Sequence, residues 1–336
     1  MVSQEMGIIR DEEIPIELWR KLVESNIHSS PFQMPEFYEL CRTVPGLRPI
    51  VTAIKTKDSL VSLAVVVVQQ ERGLKHFFSR RGIIYGGPLI DHDYPEALGL
   101  LLSEISSTLK GRVIYVESRS LTDFSNFSNN FLEHKWEYSP YLNLSIDVHQ
   151  KHLHDIIRGM NYNRRREIRL SLERGVLYGE CENEDELKEL YRILSELYRT
   201  RVKLPLPDYL FFKALWLNKP GKVFIVKHCN QVIGGSFCLE QPAKGIYTLY
   251  YCGLRNYDKK IFPTHLAVLA AFDYAIKHRL GVVDLMGAGK PGEKYGVRDY
   301  KAGFGGDIVE HGRYTKIQKP LLYFIGRKAV SFMRLI

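Results

Sequence analysis

Val282-Val-Asp-Leu-Met-Gly-Ala-Gly-Lys-Pro-Gly292 reads as a buried strand that runs into a glycine-rich loop, and the segments around it decide the fold. A helical pattern precedes it, Leu266 to Ile276, with Leu266, Leu269, Phe272 and Ile276 at helical spacing. Before the helix stands Tyr250-Tyr-Cys-Gly-Leu254. Earlier still, Lys227-His-Cys-Asn-Gln-Val-Ile-Gly-Gly-Ser236 reads as a strand, a polar turn and a second strand. The same order occurs once before. Lys55-Thr-Lys-Asp-Ser-Leu-Val-Ser-Leu-Ala64 repeats the hairpin, and Ile84-Tyr-Gly-Gly-Pro-Leu89 repeats the next strand. Pro95 to Leu109 repeats the helix through Leu98, Leu101, Leu102 and Ile105, and Val113-Ile-Tyr-Val116 repeats the strand it feeds. Four matches in one order point to a tandem duplication of a β-β-β-α-β unit. The fold expected is α/β, two tandem domains, each a mixed central sheet flanked by helices.

The 336 residues suit two domains, since one core rarely grows so large. The join falls in the polar, histidine-rich stretch near Ile146 to Met160, which sets domain 1 at 1–148 and domain 2 at 149–317. The closing segment, 318–336, carries an apolar helical pattern with Arg327, Lys328 and Arg334. Packing against domain 1 is preferred for it over lying in a membrane surface. Within domain 2, Asn161 to Gly175 reads as a basic helix with Ile168 and Leu172 on one face and Gly175 as its C-terminal cap. Asp185 to Arg199 reads as a second helix with an acidic first turn.

Hydrophobic residues make up 45% and charged residues 25%, which places the chain among ordinary globular proteins. Cys41, Cys181, Cys229, Cys238 and Cys252 are scattered, odd in number and without C-x-x-C spacing. Neither a zinc site nor a disulfide framework is indicated, and a reducing cytoplasm is the natural setting. No secretory signal pattern opens the sequence, and the longest apolar run, Leu63 to Val68, is too short to span a bilayer. The formal charge of +9 favours nucleic acid, nucleotide-linked substrates or a membrane surface without choosing among them. His149, His152 and His154 have no carboxylate or cysteine to complete a ligand set, so no metal is expected. Gly287-Ala-Gly-Lys290 is not a P-loop, because no glycine stands five positions before Gly289 and Pro291 replaces the Ser/Thr.

The segment that bears most on chemistry is Tyr295-Gly-Val-Arg-Asp-Tyr-Lys-Ala-Gly-Phe-Gly-Gly306. Glycines let backbone approach a ligand closely, and a lysine supplies a mobile charge for phosphate or for a developing oxyanion. A β-hairpin with a solvated Lys301 is the plain alternative.

Four parts of the chain together resemble the Fem-type aminoacyl transferases of peptidoglycan interpeptide bridges, within the GNAT acyltransferase superfamily. Ser30-Pro-Phe-Gln-Met-Pro-Glu-Phe37 is similar to an early FQxxxF/W segment. Arg164-Arg-Arg-Glu-Ile-Arg169 through Val176 is similar to a basic interdomain helix. Pro263-Thr-His-Leu266 through Asp284-Leu-Met-Gly287 is similar to the helix–strand unit of the second domain. Tyr300-Lys-Ala-Gly-Phe-Gly-Gly306 is similar to a terminal FKxxFG signature, with Tyr300 in place of phenylalanine. The stretch from Tyr191 to Phe212 is too short for the long helical arm of some members, so the chain resembles the armless ones.

The resemblance implies two GNAT-like domains, the last helix returning to domain 1, and transfer of an acyl group to an amine through a tetrahedral oxyanion. It implies a catalytic role for Lys301 and a substrate-clamping one for Arg201, with Tyr300 and Phe304 as further substrate contacts. Tyr209, Tyr250 and Tyr251 are candidates for the acceptor site, Tyr251 also for relaying the amine proton. Arg164, Arg165 and Arg169, beside Arg166, are candidates for a tRNA or phosphate contact, with a solvated helix face as the alternative.

GNAT enzymes that use coenzyme A hold its pyrophosphate on a glycine-rich turn before the central helix. Here that turn reads Arg255-Asn-Tyr-Asp-Lys-Lys-Ile-Phe-Pro-Thr264, and in the first repeat Asp91-His-Asp-Tyr-Pro95, neither with a glycine. No cofactor is therefore expected. Aminoacyl-tRNA is the expected donor, and a UDP-linked or lipid-linked muropeptide the expected acceptor, in the cytoplasm or at the inner face of the membrane. Two other readings stay open: a GNAT enzyme that moves an acyl group from acyl-CoA or acyl carrier protein to a surface glycan or lipid precursor, and a non-catalytic binding module.

Overall fold

The repeated order is present twice in the computed structural model, which describes residues 5–70 and 80–333. The first half contributes β1 (Gly7–Arg10), β2 (Leu47–Lys55), β3 (Leu60–Gln69), β4 (Arg81–Gly86), β5 (Leu89–Ile90), β6 (Tyr115–Ser120), β7 (Glu137–Ser139) and β8 (Leu142–Asp147). The second contributes β9 (Leu177–Glu180), β10 (Gly221–His228), β11 (Gln231–Gln241), β12 (Gly245–Gly253), β13 (Val282–Gly287), β14 (Asp307–Glu310) and β15 (Arg313–Ile317). The helix Ala97–Thr108 connects β5 to β6, and the helix Pro263–Lys277 connects β12 to β13. Each crossover therefore joins strands that run parallel, β4 with β6 and β12 with β13.

The strands form two sheets among the described residues. Their orders are β1-β2-β3-β4-β6-β15-β7, with β5 on β3, and β14-β8-β13-β12-β11-β10-β9. The two orders match position for position, and the match exposes an exchange. β15, the last strand of the second half, is inserted between β6 and β7 of the first. β8, the last strand of the first half, is inserted between β13 and β14 of the second.

The compact units are accordingly 1–141 with 310–336, and 142–309. The expected boundaries at 148 and 317 follow the sequence repeat, whereas the units follow strand pairing. β8 belongs to the second unit and β15 to the first. The helix Pro320–Met333 falls in the first unit, where Tyr323 meets Tyr115 edge to face at 5.3 Å. Leu321, Phe324 and Ile325 of that helix are exposed, and residues 334–336 of the expected helix lie outside the described residues. No helix among the described residues is long and apolar enough to cross a membrane.

Burial explains where pattern and structure part. Val113 is buried beneath the first repeat's helix, and Ile114 is buried too, but both precede the strand, which starts at Tyr115. The apolar pattern reported the core rather than the ladder. Leu172 is 41% exposed, since the basic helix Tyr162–Glu173 buries Ile168 and is ending by then. Gly175 does close that helix, with φ +80 and the Val176 amide bonded back to Ser171.

The exchanged strand β8 is held close to the chain entering β14. Gly306 has φ +86, and a Cβ there would stand 2.4 Å from the Ser145 carbonyl oxygen. Gly292 has φ +76 but open space around it. Gly306→Ala should therefore destabilise by about 3 kcal/mol or more, against about 1 kcal/mol for Gly292→Ala. Urea unfolding of both variants checks this, and equal losses would show that the contact with β8 carries no weight.

Candidate active site

The two parallel pairs differ at the point that matters for a site. β4 and β6 stay in register from Arg81–Tyr115 to Gly86–Ser120. β12 and β13 pair only from Gly245–Val282 to Tyr247–Asp284 and then diverge. Irregularities on both strands accompany the divergence. The register of β11 with β12 shifts between Phe237 and Cys238, and that of β13 with β8 shifts between Asp284 and Gly287. Met286, inside the second shift, is left-handed at φ +63, and its amide donates to the Asp284 carboxylate.

The signature segment joins the two diverging ends. It forms the helix Gly296–Ala302, not a hairpin, and Lys301 is 6% exposed rather than solvated. The Lys301 ammonium donates to the carbonyls of Leu285 (2.5 Å) and Gly287 (2.8 Å) at the end of β13. Beyond Asp284 the ladder to β12 has stopped, and the lysine supplies donors in its place. The preceding residue reaches the other strand, where Tyr300 stacks on Tyr251 of β12 at 5.6 Å.

Lys301 is thereby excluded from reaching out to a ligand phosphate as a mobile surface charge. Burial pushes its ammonium down to about 8, against the opposing pull of Asp284. Asp284, also buried, is pushed up to about 6 by burial, in spite of the Met286 amide and Lys301.

Arg164 packs behind Tyr300. Its side chain is buried, with the guanidinium carbon 4.3 Å from the ring centres of both Tyr300 and Phe304. It donates to the Tyr300 carbonyl (3.0 Å) and to His265 Nδ1 (2.6 Å). His265, in the first turn of the helix Pro263–Lys277, lies 2.9 Å from Glu167 through Nε2, and the Tyr300 hydroxyl lies 3.2 Å from its Nδ1. Burial, then the Arg164 charge, push His265 down to about 3. It is neutral at physiological pH. Nε2 faces the Glu167 carboxylate and Nδ1 the Tyr300 hydroxyl, while the Arg164 guanidinium lies against both ring nitrogens.

The expected residues divide between two faces of the second sheet. Lys301, Tyr300, Tyr251, Phe304 and Arg164 come together, although Phe304, 1% exposed, is a core residue with no surface for substrate. Tyr250 turns to the other face, against Phe212 (5.2 Å) and Tyr198 (6.0 Å). Tyr209 is on that side too, 5.5 Å from Tyr191, its hydroxyl bonded to Glu184. Tyr191, Tyr198, Arg199, Lys203 and Leu204 line an open depression of about 460 Å³ there. Arg201 is exposed on the same wide turn, Tyr198–Val202.

The basic helix is not one surface. Arg164 is buried, which removes it as a phosphate contact. Arg165 donates to the carbonyls of Arg158 and Met160 and closes the helix Leu153–Gly159. Arg169 is exposed and pairs with Glu173 at 3.6 Å. His265, Glu167 and Asp284 were missed as site residues. A carboxylate inside the apolar run Val282-Val-Asp-Leu285 was the available signal for Asp284, and a histidine directly after Pro263-Thr for His265.

Two outcomes follow from this electrostatics. Between about pH 4 and 6 the folded chain keeps a proton on Asp284 that the unfolded chain releases, so its contribution to stability falls as pH rises. Between about pH 8 and 10 the unfolded chain keeps a proton on Lys301 that the folded chain has lost, so stability rises. In urea midpoints measured against pH, the wild type should lose stability relative to Asp284→Asn between about pH 4 and 6; a pH-independent difference would contradict the buried carboxyl. Arg164→Ala should cost about 2–5 kcal/mol, because buried acceptors lose their donor, and Arg169→Ala less than about 0.5 kcal/mol. Thermal and urea unfolding compare them, and equal costs would refute the division of the helix.

No family model and no curated protein matches the sequence. Solved structures do match the fold. A structure of FemX superposes with a TM-score of 0.72 at 15% identity, over 95% of this chain and 100% of that one. A tandem GNAT protein from the clavulanic acid biosynthesis pathway gives 0.55 at 10% identity, over 94% and 99%. L-PGS from Bacillus licheniformis gives 0.56 at 11% identity, over 94% and 97%. The chain thus shares the fold of FemX and of the tandem GNAT protein, as the resemblance implied.

Proposed function

We propose that this chain is an aminoacyltransferase, moving an amino acid from aminoacyl-tRNA to an amine of a UDP-linked or lipid-linked muropeptide, in the cytoplasm or at the inner face of the membrane. The observation that carries the reading is the bridge of Tyr300 and Lys301 across the ends of β12 and β13. An extended thioester arm laid along the open edge of β13 would compete with Lys301 for the carbonyls of Leu285 and Gly287. The glycine-free turn before Pro263 adds to this. Both favour a donor other than coenzyme A.

In the reaction, the acceptor amine attacks the ester carbonyl, an oxyanion forms, and the bond to the tRNA ribose oxygen breaks as the amide is completed, the ribose oxygen leaving as a hydroxyl with the proton that the amine has given up. Lys301 spends two of its three N–H groups on carbonyls, and the third is the donor assigned to the oxyanion. Tyr300, His265 and Glu167 form a hydrogen-bonded chain from the bridge to a half-buried carboxylate, a route for the amine proton. Tyr251, stacked on Tyr300, borders the start of that route. The second reading, acyl transfer from acyl-CoA or acyl carrier protein to a glycan or lipid precursor, draws on the divergence of β12 from β13 itself. The third, a non-catalytic binding module, draws on the burial of Lys301.

The test is transfer of labelled amino acid from total aminoacyl-tRNA to UDP-muropeptide, lipid-linked muropeptide or phosphatidylglycerol, with acyl-CoA as the competing donor. Lys301→Met, shown to be folded by its melting curve, should lose about 10²–10³-fold in kcat. Transfer from acyl-CoA alone would overturn the donor, and full activity of the folded variant would overturn the role of Lys301.

A further inference from the structure

The sheet of the first unit has a charged face that nothing above uses. Along β6, Val116, Ser118 and Ser120 are buried, while Tyr115, Glu117 and Arg119 are half-buried on the opposite face. Their neighbours in register are Arg81, Ile83 and Tyr85 of β4 and Ile317, Thr315 and Arg313 of β15.

One carboxylate oxygen, Glu117 Oε1, accepts from Arg119 Nε (2.6 Å) and from Arg313 (3.2 Å). Arg119 lies over the Tyr85 ring at 5.5 Å and Arg313 over the Tyr141 ring at 3.4 Å. Arg81 Nε donates to Gln69 (3.3 Å), and Gln69 donates to the Tyr85 hydroxyl (2.8 Å), which leaves the hydroxyl proton to donate onward.

Two guanidiniums bond the one carboxylate, and Arg81 adds its charge beside it. Among the described residues no second carboxylate pairs with Arg81, Arg119 or Arg313, and none accepts from their other N–H groups. The side chains of Arg119, Arg313 and Glu117 are 32%, 20% and 16% exposed. That is shielded enough to weaken screening by water and open enough to admit a ligand. Burial and the Arg119 charge push Arg313 down from its ordinary value, yet a guanidinium does not give up its proton. An anion is what offsets such a cluster.

We propose that Arg81, Arg119 and Arg313, flanked by Tyr85 and Tyr141, bind a compact dianion, the phosphate monoester or diphosphate end of a ligand. Glu117 positions the two arginines and limits their charge. The site does not rest on the transfer reaction proposed above, and its test needs no turnover.

The plain alternative is that Glu117 only braces β6 to β15. The two differ in what Glu117→Gln does. As a brace, its loss destabilises the sheet and gains nothing. In a binding site, it raises the cluster from +2 to +3, by removing one negative charge from three positive and one negative, and should tighten anion binding severalfold.

The experiment is calorimetric titration of the full chain with inorganic pyrophosphate at low and moderate salt. Expected are saturable binding that weakens with salt, weakening of about tenfold or more in Arg119→Gln and Arg313→Gln, and tightening in Glu117→Gln. Melting curves establish that each variant is folded. Should Arg119→Gln not fold, Arg119→Lys keeps the charge, loses the fork, and should still weaken binding. Tighter binding of UDP than of pyrophosphate would mark a soluble nucleotide as the source. Tighter binding to vesicles carrying a polyprenyl diphosphate would mark a lipid. No saturable binding by the wild type, unchanged binding in the folded arginine variants, or no gain in Glu117→Gln would overturn the proposal.

Discussion

Two hydrogen bonds from the Lys301 ammonium to the carbonyls of Leu285 and Gly287 hold the candidate site in its present form. Parallel strands normally satisfy one another's backbone groups, and β12 and β13 stop doing so after Tyr247 and Asp284. Buried carbonyls without donors are costly. A charged side chain drawn from the helix Gly296–Ala302 meets that need, and its burial has a cost of its own. The neighbouring carboxyl of Asp284 offsets part of it. Tyr300 is then placed on Tyr251, and Arg164, His265 and Glu167 order themselves behind Tyr300. The arrangement is one connected network, so its members cannot be read singly.

The duplication was legible in the sequence because helix and strand periodicities are local. Leu98, Leu101, Leu102 and Ile105 mark one helix, Leu266, Leu269, Phe272 and Ile276 the other, and both are where the pattern put them. The exchange of β8 and β15 was not legible. Which strand enters which sheet depends on pairing between segments far apart in the chain, and both strands carry ordinary amphipathic patterns. A boundary drawn by repeat therefore misplaced both.

The site shows the same limit in side chains. Lys301 was singled out in the sequence, but a lysine's surroundings depend on which carbonyls lack donors, and that is a property of two other strands. Arg164 and Arg169 lie in one basic run, yet one is enclosed by Tyr300, Phe304 and His265 and the other is solvated. Charge counted along a sequence cannot separate them. Part of the +9 is thus committed internally and cannot serve an anionic partner.

The two copies of the repeat have taken opposite courses from one plan. In the first, the parallel pair is closed along its length, and the turn after it is packed against Gln33, whose amide donates to Gly87. In the second, the pair is open and the signature segment fills the demand created. An opening in both would leave two sets of backbone groups to satisfy, with only one lysine–aspartate pair to do it. The strand exchange gives the closed copy something else. Glu117 and Arg119 come from the first half of the sequence and Arg313 from the second, so the arginine cluster exists only because β15 is lent across. Neither half alone encodes it. A duplication whose copies exchange their last strands can thus build, on the copy whose parallel pair is closed, a surface that takes residues from both halves of the chain.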